Sequence, residues 1–260
     1  MEPLAQLAAL QRDRERWWAT AERGEAAWLG NYPRMNELRA AAEAVRVGAT
    51  PAQLSTLLRD WERWSETADR SDDGWQTDYP QMGGLVVVAE GLMVGAALDE
   101  AALRDLDLCW AITEEDELLA DFAREQLDRS WSVLRWLIAH GQRDTRWQVA
   151  AALGDATSNM EAKALLRAAL DDPDAYYRRR ALASLARFAP RDARKLAERF
   201  LPDTDPYLRQ TAIEMVLATS DAEFIAETRR VLLDDPAWHV RQAAIAIDVS
   251  DGGNSEDSRH

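Results

Sequence analysis

Apolar residues recur every three or four positions through most of this chain, which is the spacing that lines one face of an α-helix. The clearest case is the segment 50–64, where the apolar positions are Leu54, Leu57, Leu58, Trp61 and Trp64. The same spacing predicts helices over 2–23 and over 113–139. Residues that favour β-strands run together only in LVVVA, at 85–89. The pattern therefore predicts an all-α protein with no significant β-sheet.

Residues that favour helix starts stand at the head of two of these segments. Thr50 is followed by Pro51, and this pair predicts a threonine N-cap with proline at the first helical position. Thr113 precedes the acidic run EEDE. It is therefore predicted to cap a long helix that continues to residue 139.

A longer pattern occurs twice, 47 positions apart. NYPRMNELRAAAEAVRVGA at 31–49 aligns with DYPQMGGLVVVAEGLMVGA at 78–96, and Trp28 aligns with Trp75. Because LVVVA aligns with the plainly helical LRAAA, we expect a buried helix there rather than a strand. The Tyr-Pro pair of each copy is predicted to pack at the start of its helix. The second copy lacks two arginines of the first, so we expect it to be the more deeply buried.

A shorter pattern recurs in the second half of the chain. Four segments align on Arg146, Arg178, Arg209 and Arg241, at steps of 32, 31 and 32 residues. Three of them open with Asp-Pro, at 172–173, 205–206 and 235–236. An aspartate can accept hydrogen bonds from the first turn of a helix, and a proline at the first helical position loses none, so each dyad predicts a helix start.

Each of these helices follows a partner helix, at 159–170, 191–201 and 221–233. A helical hairpin of about thirty residues cannot bury its apolar face alone and becomes stable when stacked on copies. The sequence therefore predicts a stack of antiparallel hairpins.

These segments resemble a known family. ALDDPDAYYRRRALASLARF and LLDDPAWHVRQAAIAI are similar to HEAT repeats, particularly to the short variety of phycobilisome-lyase-like solenoid proteins. The resemblance covers about 144–247 and is weaker over 28–140, where the longer spacing lies at the upper end of the HEAT and armadillo range. It implies an α-solenoid whose second helices line the concave side. It also implies that the recurrent arginines and aspartates tie adjacent repeats together.

The predicted organisation has three parts. Residues 1–140 form a helical region with two longer repeats, and 141–248 form HEAT-like repeats continuous with it. The polar segment 249–260 is predicted to be a disordered tail.

The chain is acidic, with 46 Asp and Glu against 31 Lys and Arg and a net charge of −15. Residues 1–140 hold 26 carboxylates and 14 basic side chains, whereas 141–260 hold 20 and 17. The segment 99–128 alone holds eleven carboxylates. An acidic surface repels phosphate backbones, so we expect no nucleic-acid partner. The acidic segment is either a solvated helix face or a surface for a basic partner.

Signatures of catalysis are scarce. The histidines, His140, His239 and His260, are dispersed, and Cys109 stands alone in an apolar context. There is no phosphate-binding glycine loop and no nucleophile elbow. We therefore expect no metal, no cofactor and no enzymatic activity. We also expect a cytoplasmic location, because no secretory leader is evident and the most apolar run, 83–98, is too short and too charged to span a membrane.

Glu90 is the most informative single acid, because its surroundings in LVVVAEGLMVGA are otherwise apolar. A carboxylate there must find a partner or bind its proton more tightly. One interpretation is a general acid or base. We favour a structural role, a hydrogen bond from a backbone, tryptophan or tyrosine donor, because Glu43 occupies the equivalent position of the first copy.

Aromatic residues fall into two predicted groups. One group has the spacing of apolar helix faces, and most of its members are predicted to be core: Trp17, Trp18, Trp61, Trp64, Trp131 and Trp136. The other lies near the starts of the repeated second helices, beside a basic block at 176–199 whose arginines either pair with acids of neighbouring repeats or form an anion or acidic-peptide site. The predicted binding residues are Trp147, Tyr176, Arg179, Arg180, Tyr207, Gln210, Glu214, Trp238, His239 and Gln242.

The sequence thus favours a non-enzymatic module that binds another protein on its concave face. One version is an inhibitor or immunity-type protein whose acidic segment meets a basic partner. The alternative is an enzyme of the lyase type that handles a small molecule or chromophore in an aromatic-lined groove. A scaffold subunit that serves only assembly is a third interpretation.

Overall fold

The computed structural model describes residues 2–20, 32–71, 75–95, 97–114, 117–188 and 192–247. In these ranges there are fourteen α-helices, a 3₁₀ turn at Trp75–Asp78 and no strand. The prediction of an all-α fold is confirmed. None of the helices in the described ranges combines the length and the apolar character needed to cross a bilayer. The predicted tail, 249–260, lies outside the described residues.

The chain divides into two compact units, Met1–Arg146 and Trp147–His260. The helices of the first unit are α1 (Pro3–Thr20), α2 (Met35–Val47), α3 (Pro51–Ser65), α4 (Met82–Met93), α5 (Glu100–Ile112), α6 (Leu118–Glu125) and α7 (Leu127–His140). Helix α8 (Arg143–Leu153) contains the division. The second unit continues with α9 (Met160–Ala169), α10 (Ala175–Leu185), α11 (Ala193–Phe200), α12 (Pro206–Ala218), α13 (Ala222–Leu232) and α14 (Trp238–Ile245). The division between these units follows Arg146, and the organisation into 1–140 and 141–248 stays a prediction.

The start of α3 is the one that the sequence predicts. The Thr50 hydroxyl accepts a hydrogen bond from the Gln53 N–H at 3.3 Å, and the Gln53 side-chain oxygen accepts one from the Thr50 N–H at 2.8 Å. Pro51 takes the first helical position. The two bonds satisfy donors that would otherwise be orphaned at the helix end.

The two copies of the longer pattern fold alike at their Tyr-Pro pairs. The Met35 N–H donates to the Tyr32 carbonyl at 3.0 Å, and the Met82 N–H donates to the Tyr79 carbonyl at 2.9 Å. Both tyrosines are buried, and each precedes a helix. In α4 ten residues are buried, compared with three in α2. The predictions of a helix at 85–89 and of deeper burial in the second copy are confirmed.

Glu90 is paired with an arginine of the first copy. Arg46 donates to one oxygen of Glu90 from Nη2 at 2.6 Å and from Nε at 3.0 Å, and its Nη1 reaches Glu43 at 2.5 Å. Burial raises the pKa of Glu90, while the hydrogen bond from Arg46 opposes the shift. The contact ties the two copies together. The partner is thus an arginine side chain and not the backbone, tryptophan or tyrosine donor that the sequence predicts.

The prediction of one helix over 113–139 is wrong. Helix α5 ends at Ile112, α6 begins at Leu118, and α7 follows from Leu127. The Thr113 hydroxyl donates backwards to the Cys109 carbonyl at 3.0 Å, so Thr113 ends α5 instead of starting a new helix. A threonine hydroxyl can bond the carbonyl four residues earlier as well as an N–H ahead of it, and the sequence pattern does not distinguish these uses.

The prediction that most of the six tryptophans are core is also wrong. All six are partly or largely exposed, and the buried tryptophans of the described residues are Trp110 and Trp147. The rings of Trp61 and Trp64 stack on Trp75, with centroids 6.2 and 6.0 Å away. Indole is large and carries a polar N–H, so it is often half buried where a leucine would be fully buried.

Candidate functional site

The repeated arginines hold the loop before their own helix. Arg209 donates from Nη1 to the carbonyls of Asp203 and Thr204, at 2.9 and 3.3 Å. Arg178 and Arg241 make the same pair of bonds to the fifth and sixth residues before them, at distances between 2.6 and 3.1 Å. These bonds fix where α10, α12 and α14 begin, and so fix the side chains of their first turns.

The aspartates six positions before these arginines share one role. The carboxylates of Asp172, Asp203 and Asp235 each accept the N–H of the residue two positions later, at 2.8 to 2.9 Å. This bond closes a tight turn before the helix. The prediction that each Asp-Pro dyad starts a helix is correct only for Asp205, which caps α12 with Pro206 in the first turn. In the other two repeats the aspartate of the dyad lies two residues before the N-cap of the helix. The repeated arginine, and not the dyad, keeps a constant distance from the helix start.

Arg209 also ties two repeats together, as the HEAT resemblance implies. Its Nε and Nη2 each reach an oxygen of Asp235 at 2.8 Å. The side chains are only 13% and 5% exposed, so the pair is shielded from solvent. The hydrogen bonds from Arg209 hold the pKa of Asp235 below its usual value.

Three arginines of the basic block at 176–199 pair with acids of neighbouring repeats. Ion pairs join Arg187 to Asp155 at 2.9 Å, Arg194 to Asp221 at 2.7 Å, and Arg199 to Asp171 at 2.6 Å. For these arginines the interpretation of the block as inter-repeat pairing is confirmed. Arg194 and Arg199 also lie over phenylalanine rings, whereas the Arg179 and Arg180 guanidinium groups lie over rings of the predicted binding set.

These rings and cations form a continuous stacked series in the second unit. The Trp147 and Tyr176 rings meet edge to face, with centroids 5.2 Å apart. The Arg179 guanidinium lies over Tyr176 at 4.5 Å and over Tyr207 at 5.4 Å from the ring centroids. Tyr207 in turn stacks on His239 at 4.4 Å with an interplanar angle of 16°.

The series is completed at its two ends. Arg180 lies over Trp147 at 4.7 Å, and Trp238 meets His239 edge to face at 5.8 Å. We call this series the aromatic–arginine ladder, and its members are Arg180, Trp147, Tyr176, Arg179, Tyr207, His239 and Trp238. It runs across the first turns of α10, α12 and α14 from its start on α8.

The rings of the ladder differ in exposure. Trp147 is 7% exposed, whereas Tyr207 is 51% and Trp238 is 68% exposed. The buried end anchors the series in the repeat stack, and the other end presents large apolar rings to solvent.

Seven of the ten predicted binding residues belong to the ladder. The other three, Gln210, Glu214 and Gln242, lie on α12 and α14, and in the described part of the chain they make no hydrogen bond or ring contact with it. Glu214 is exposed overall, but partial desolvation of its carboxyl group raises its pKa, with Arg187 opposing the shift. The sequence indicated the rings and the two arginines but not their order, nor that Arg179 lies over two tyrosines.

The first unit contains a cleft of about 330 Å³. Its lining residues are Asp13, Arg16, Trp17, Tyr32, Pro33 and Arg34. The Tyr32 hydroxyl donates to Asp13 at 2.6 Å, and this hydrogen bond lowers the pKa of the aspartate. The carboxylate of the cleft is therefore already engaged by protein groups. Across the described ranges, no group of three His, Cys, Asp or Glu side chains is placed to hold a metal ion.

Comparisons with known proteins agree with the repeat pattern of the second unit. Residues 162–247 match the family model of HEAT repeats. The predicted resemblance is confirmed for this segment, and it supports an all-α fold of HEAT-like helical hairpins. The crystal structure of an engineered protein from the Northeast Structural Genomics Consortium is similar with a TM-score of 0.40 and 15% identity, over 90% of this chain and 94% of that one. This likeness is too low to bear on the fold. The search of curated proteins found no match.

Proposed function

We propose that this protein is a non-enzymatic module that binds another protein, and that the partner lies on the aromatic–arginine ladder. HEAT repeats form scaffolds that often mediate protein interactions. The observation that carries the proposal is the ladder itself, which is continuous across four helices and ends in the exposed rings of Tyr207 and Trp238.

The composition and order of the ladder suit a binding surface. Tryptophan, tyrosine and arginine are the residues that concentrate binding energy in interfaces. Each ring or cation of the ladder rests on a neighbour, which restricts its rotamers before a partner arrives. A surface ordered in advance loses less side-chain entropy when it binds.

The acidic segment 99–128 is less suited to the role. Glu100 pairs with Arg104, Asp107 is buried and accepts the Gln142 N–H, and Asp105 accepts the Ser55 hydroxyl. Each of these bonds occupies a carboxylate within the fold. A basic partner on this segment, as for an inhibitor or immunity protein, stays a prediction, and so does the cytoplasmic location.

A small-molecule or chromophore function also stays a prediction. The cleft of the first unit combines two aromatic rings with Asp13, whose partners are Tyr32 and Arg34. A colour in the purified protein, or a shift of tryptophan fluorescence with a candidate ligand, would support this alternative.

The proposal predicts that Tyr207→Ala with Trp238→Ala weakens partner capture. Both rings are largely exposed, so the double variant should fold normally while its affinity for the partner falls at least about tenfold. The partner is identified by mass spectrometry after capture from an extract of the native host on immobilised wild-type protein. Its dissociation constant is then measured by titration against wild type and variant.

The matched control is Met160→Ala with Val231→Ala. These side chains are 70% and 58% exposed on α9 and α13, helices that contain no member of the ladder. The control should bind like wild type. Full binding by the ladder variant, or an equal loss in the control, would contradict the proposal.

A further inference from the structure

We infer that the ladder recognises a carboxylate side chain of the partner, and that Arg179 is the residue that binds it. The occupant we assign is an acidic segment of a partner protein whose glutamates or aspartates are interspersed with apolar residues. This inference rests on the proposed function, because it specifies the chemistry of the segment that the ladder takes.

The first argument is the geometry of Arg179. Its guanidinium lies over the faces of Tyr176 and Tyr207, at 4.5 and 5.4 Å. Ring contacts use the flat faces of the cation and leave its N–H groups pointing outward in the guanidinium plane. That fork of donors matches the two oxygens of a carboxylate. The tyrosines therefore hold a carboxylate receptor in place without consuming its hydrogen bonds.

The second argument is electrostatic. Arg187, Arg194 and Arg199 of the same basic block each pair with an aspartate of another repeat. Arg179 forms no ion pair with any residue of the described ranges, although the chain has 46 carboxylates for 31 basic side chains. Arg179 is half buried, and a buried arginine ordinarily has an acid partner, so we assign its partner to an external acid.

The third argument is the net charge of residues 141–260 and the apolar surface beside Arg179. The acidity of the chain resides in residues 1–140, and 141–260 hold 17 basic side chains against 20 carboxylates. An acidic segment therefore meets little net repulsion from the half that carries the ladder. Beside Arg179 the exposed Tyr207 ring offers an apolar surface. The combination fits alternating acidic and apolar side chains.

The test uses a short fluorescein-labelled peptide in which glutamate alternates with leucine, with binding followed by fluorescence anisotropy. The comparison peptide has glutamine in place of every glutamate, and a third has phosphoserine there. Wild-type protein should bind the glutamate peptide at least about tenfold more tightly than the glutamine peptide, because a charge-assisted bidentate contact is lost.

The variants assign the preference to one residue. In Arg179→Gln the preference for glutamate should disappear, and Arg179→Lys should restore only part of it because lysine lacks the planar fork. Arg194→Gln removes the same charge from the same block but from an arginine that is already paired with Asp221. It should keep the full preference. Thermal melting of each variant shows that it is folded.

Three results would overturn the inference: no binding of the glutamate peptide by wild type, an undiminished preference in Arg179→Gln, or tighter binding of the phosphoserine peptide, which would assign the site to phosphate. These failures are separable from failure of the proposed function. If partner capture depends on Tyr207 and Trp238 but not on Arg179, the ladder is still the binding surface. Only the inference that it recognises a carboxylate is then contradicted.

Discussion

Replacing Asp235 by asparagine should lower the free energy of unfolding by about 3 kcal/mol, because it leaves the shielded guanidinium of Arg209 without its counter-charge. The Asp235 side chain is 5% exposed and bonds Arg209 through both oxygens, besides accepting the Ala237 N–H. Asparagine can still accept the backbone bond. The loss therefore reports the inter-repeat ion pair, and urea unfolding followed by circular dichroism measures it.

Asp234→Asn is the matched control, since it removes the same charge one residue away from an exposed side chain. It should change stability by less than about 0.5 kcal/mol. Combining Asp235→Asn with Arg209→Gln should cost less than the two single changes added together. Equal effects of Asp234→Asn and Asp235→Asn would show that the pair does not hold the repeats together.

The contribution of Asp235 should also depend on pH. Its pKa is lowered in the folded state by Arg209, so the stabilisation is complete above the pKa of about 4 of an unfolded aspartate. It is lost as the pH falls through the lowered pKa of the folded protein. The stability difference between wild type and Asp235→Asn should thus be constant from neutral pH to about pH 5 and shrink in stronger acid.

Gly91→Ala should destabilise the first unit by about 2 kcal/mol, although alanine is the better helix former. A Cβ at this position of α4 would lie 2.2 Å from the Arg46 carbonyl oxygen and 2.6 Å from the Ala49 Cβ. These are backbone and near-backbone atoms at the end of α2, which cannot move aside as a flexible side chain can. Thermal and urea unfolding would show the loss.

Gly84→Ala tests whether the effect belongs to this contact. Gly84 is buried in the same helix, but its added Cβ would meet the end of the flexible Leu4 side chain at 3.3 Å. Its stability should stay within about 0.5 kcal/mol of wild type, since better helix propensity offsets mild crowding. Equal free energies of unfolding for Gly91→Ala and Gly84→Ala would contradict the close approach of α2 to α4 at Gly91.

The sequence predicted elements whose signals are local. Thr50 and Pro51 define a helix start through bonds within four residues, and the structure forms them. The prediction that Thr113 starts a helix was wrong, because a threonine side chain can bond at the end of a helix as well as at its start. The prediction from the Asp-Pro dyads was wrong for two of the three, because there the dyad lies two residues before the N-cap. The repeated arginines make the same backbone bond in all three repeats.

The candidate site was predictable in composition but not in arrangement. Position in the repeat was enough to gather Tyr176, Tyr207 and His239 near the starts of successive helices. Which ring faces which cation depends on how the helices are placed in three dimensions. The Arg46–Glu90 bond is a similar case, because its residues are 44 positions apart and neither segment alone indicates the other.

The central claim is that the exposed end of the ladder touches a partner protein. Site-specific incorporation of a photo-crosslinking amino acid at position 238, with position 160 as the comparison, tests it most directly in the living host. Both native side chains are about equally exposed, at 68% and 70%. The account predicts one discrete protein adduct from position 238 and none from position 160. An adduct from position 160 with none from position 238 would contradict it.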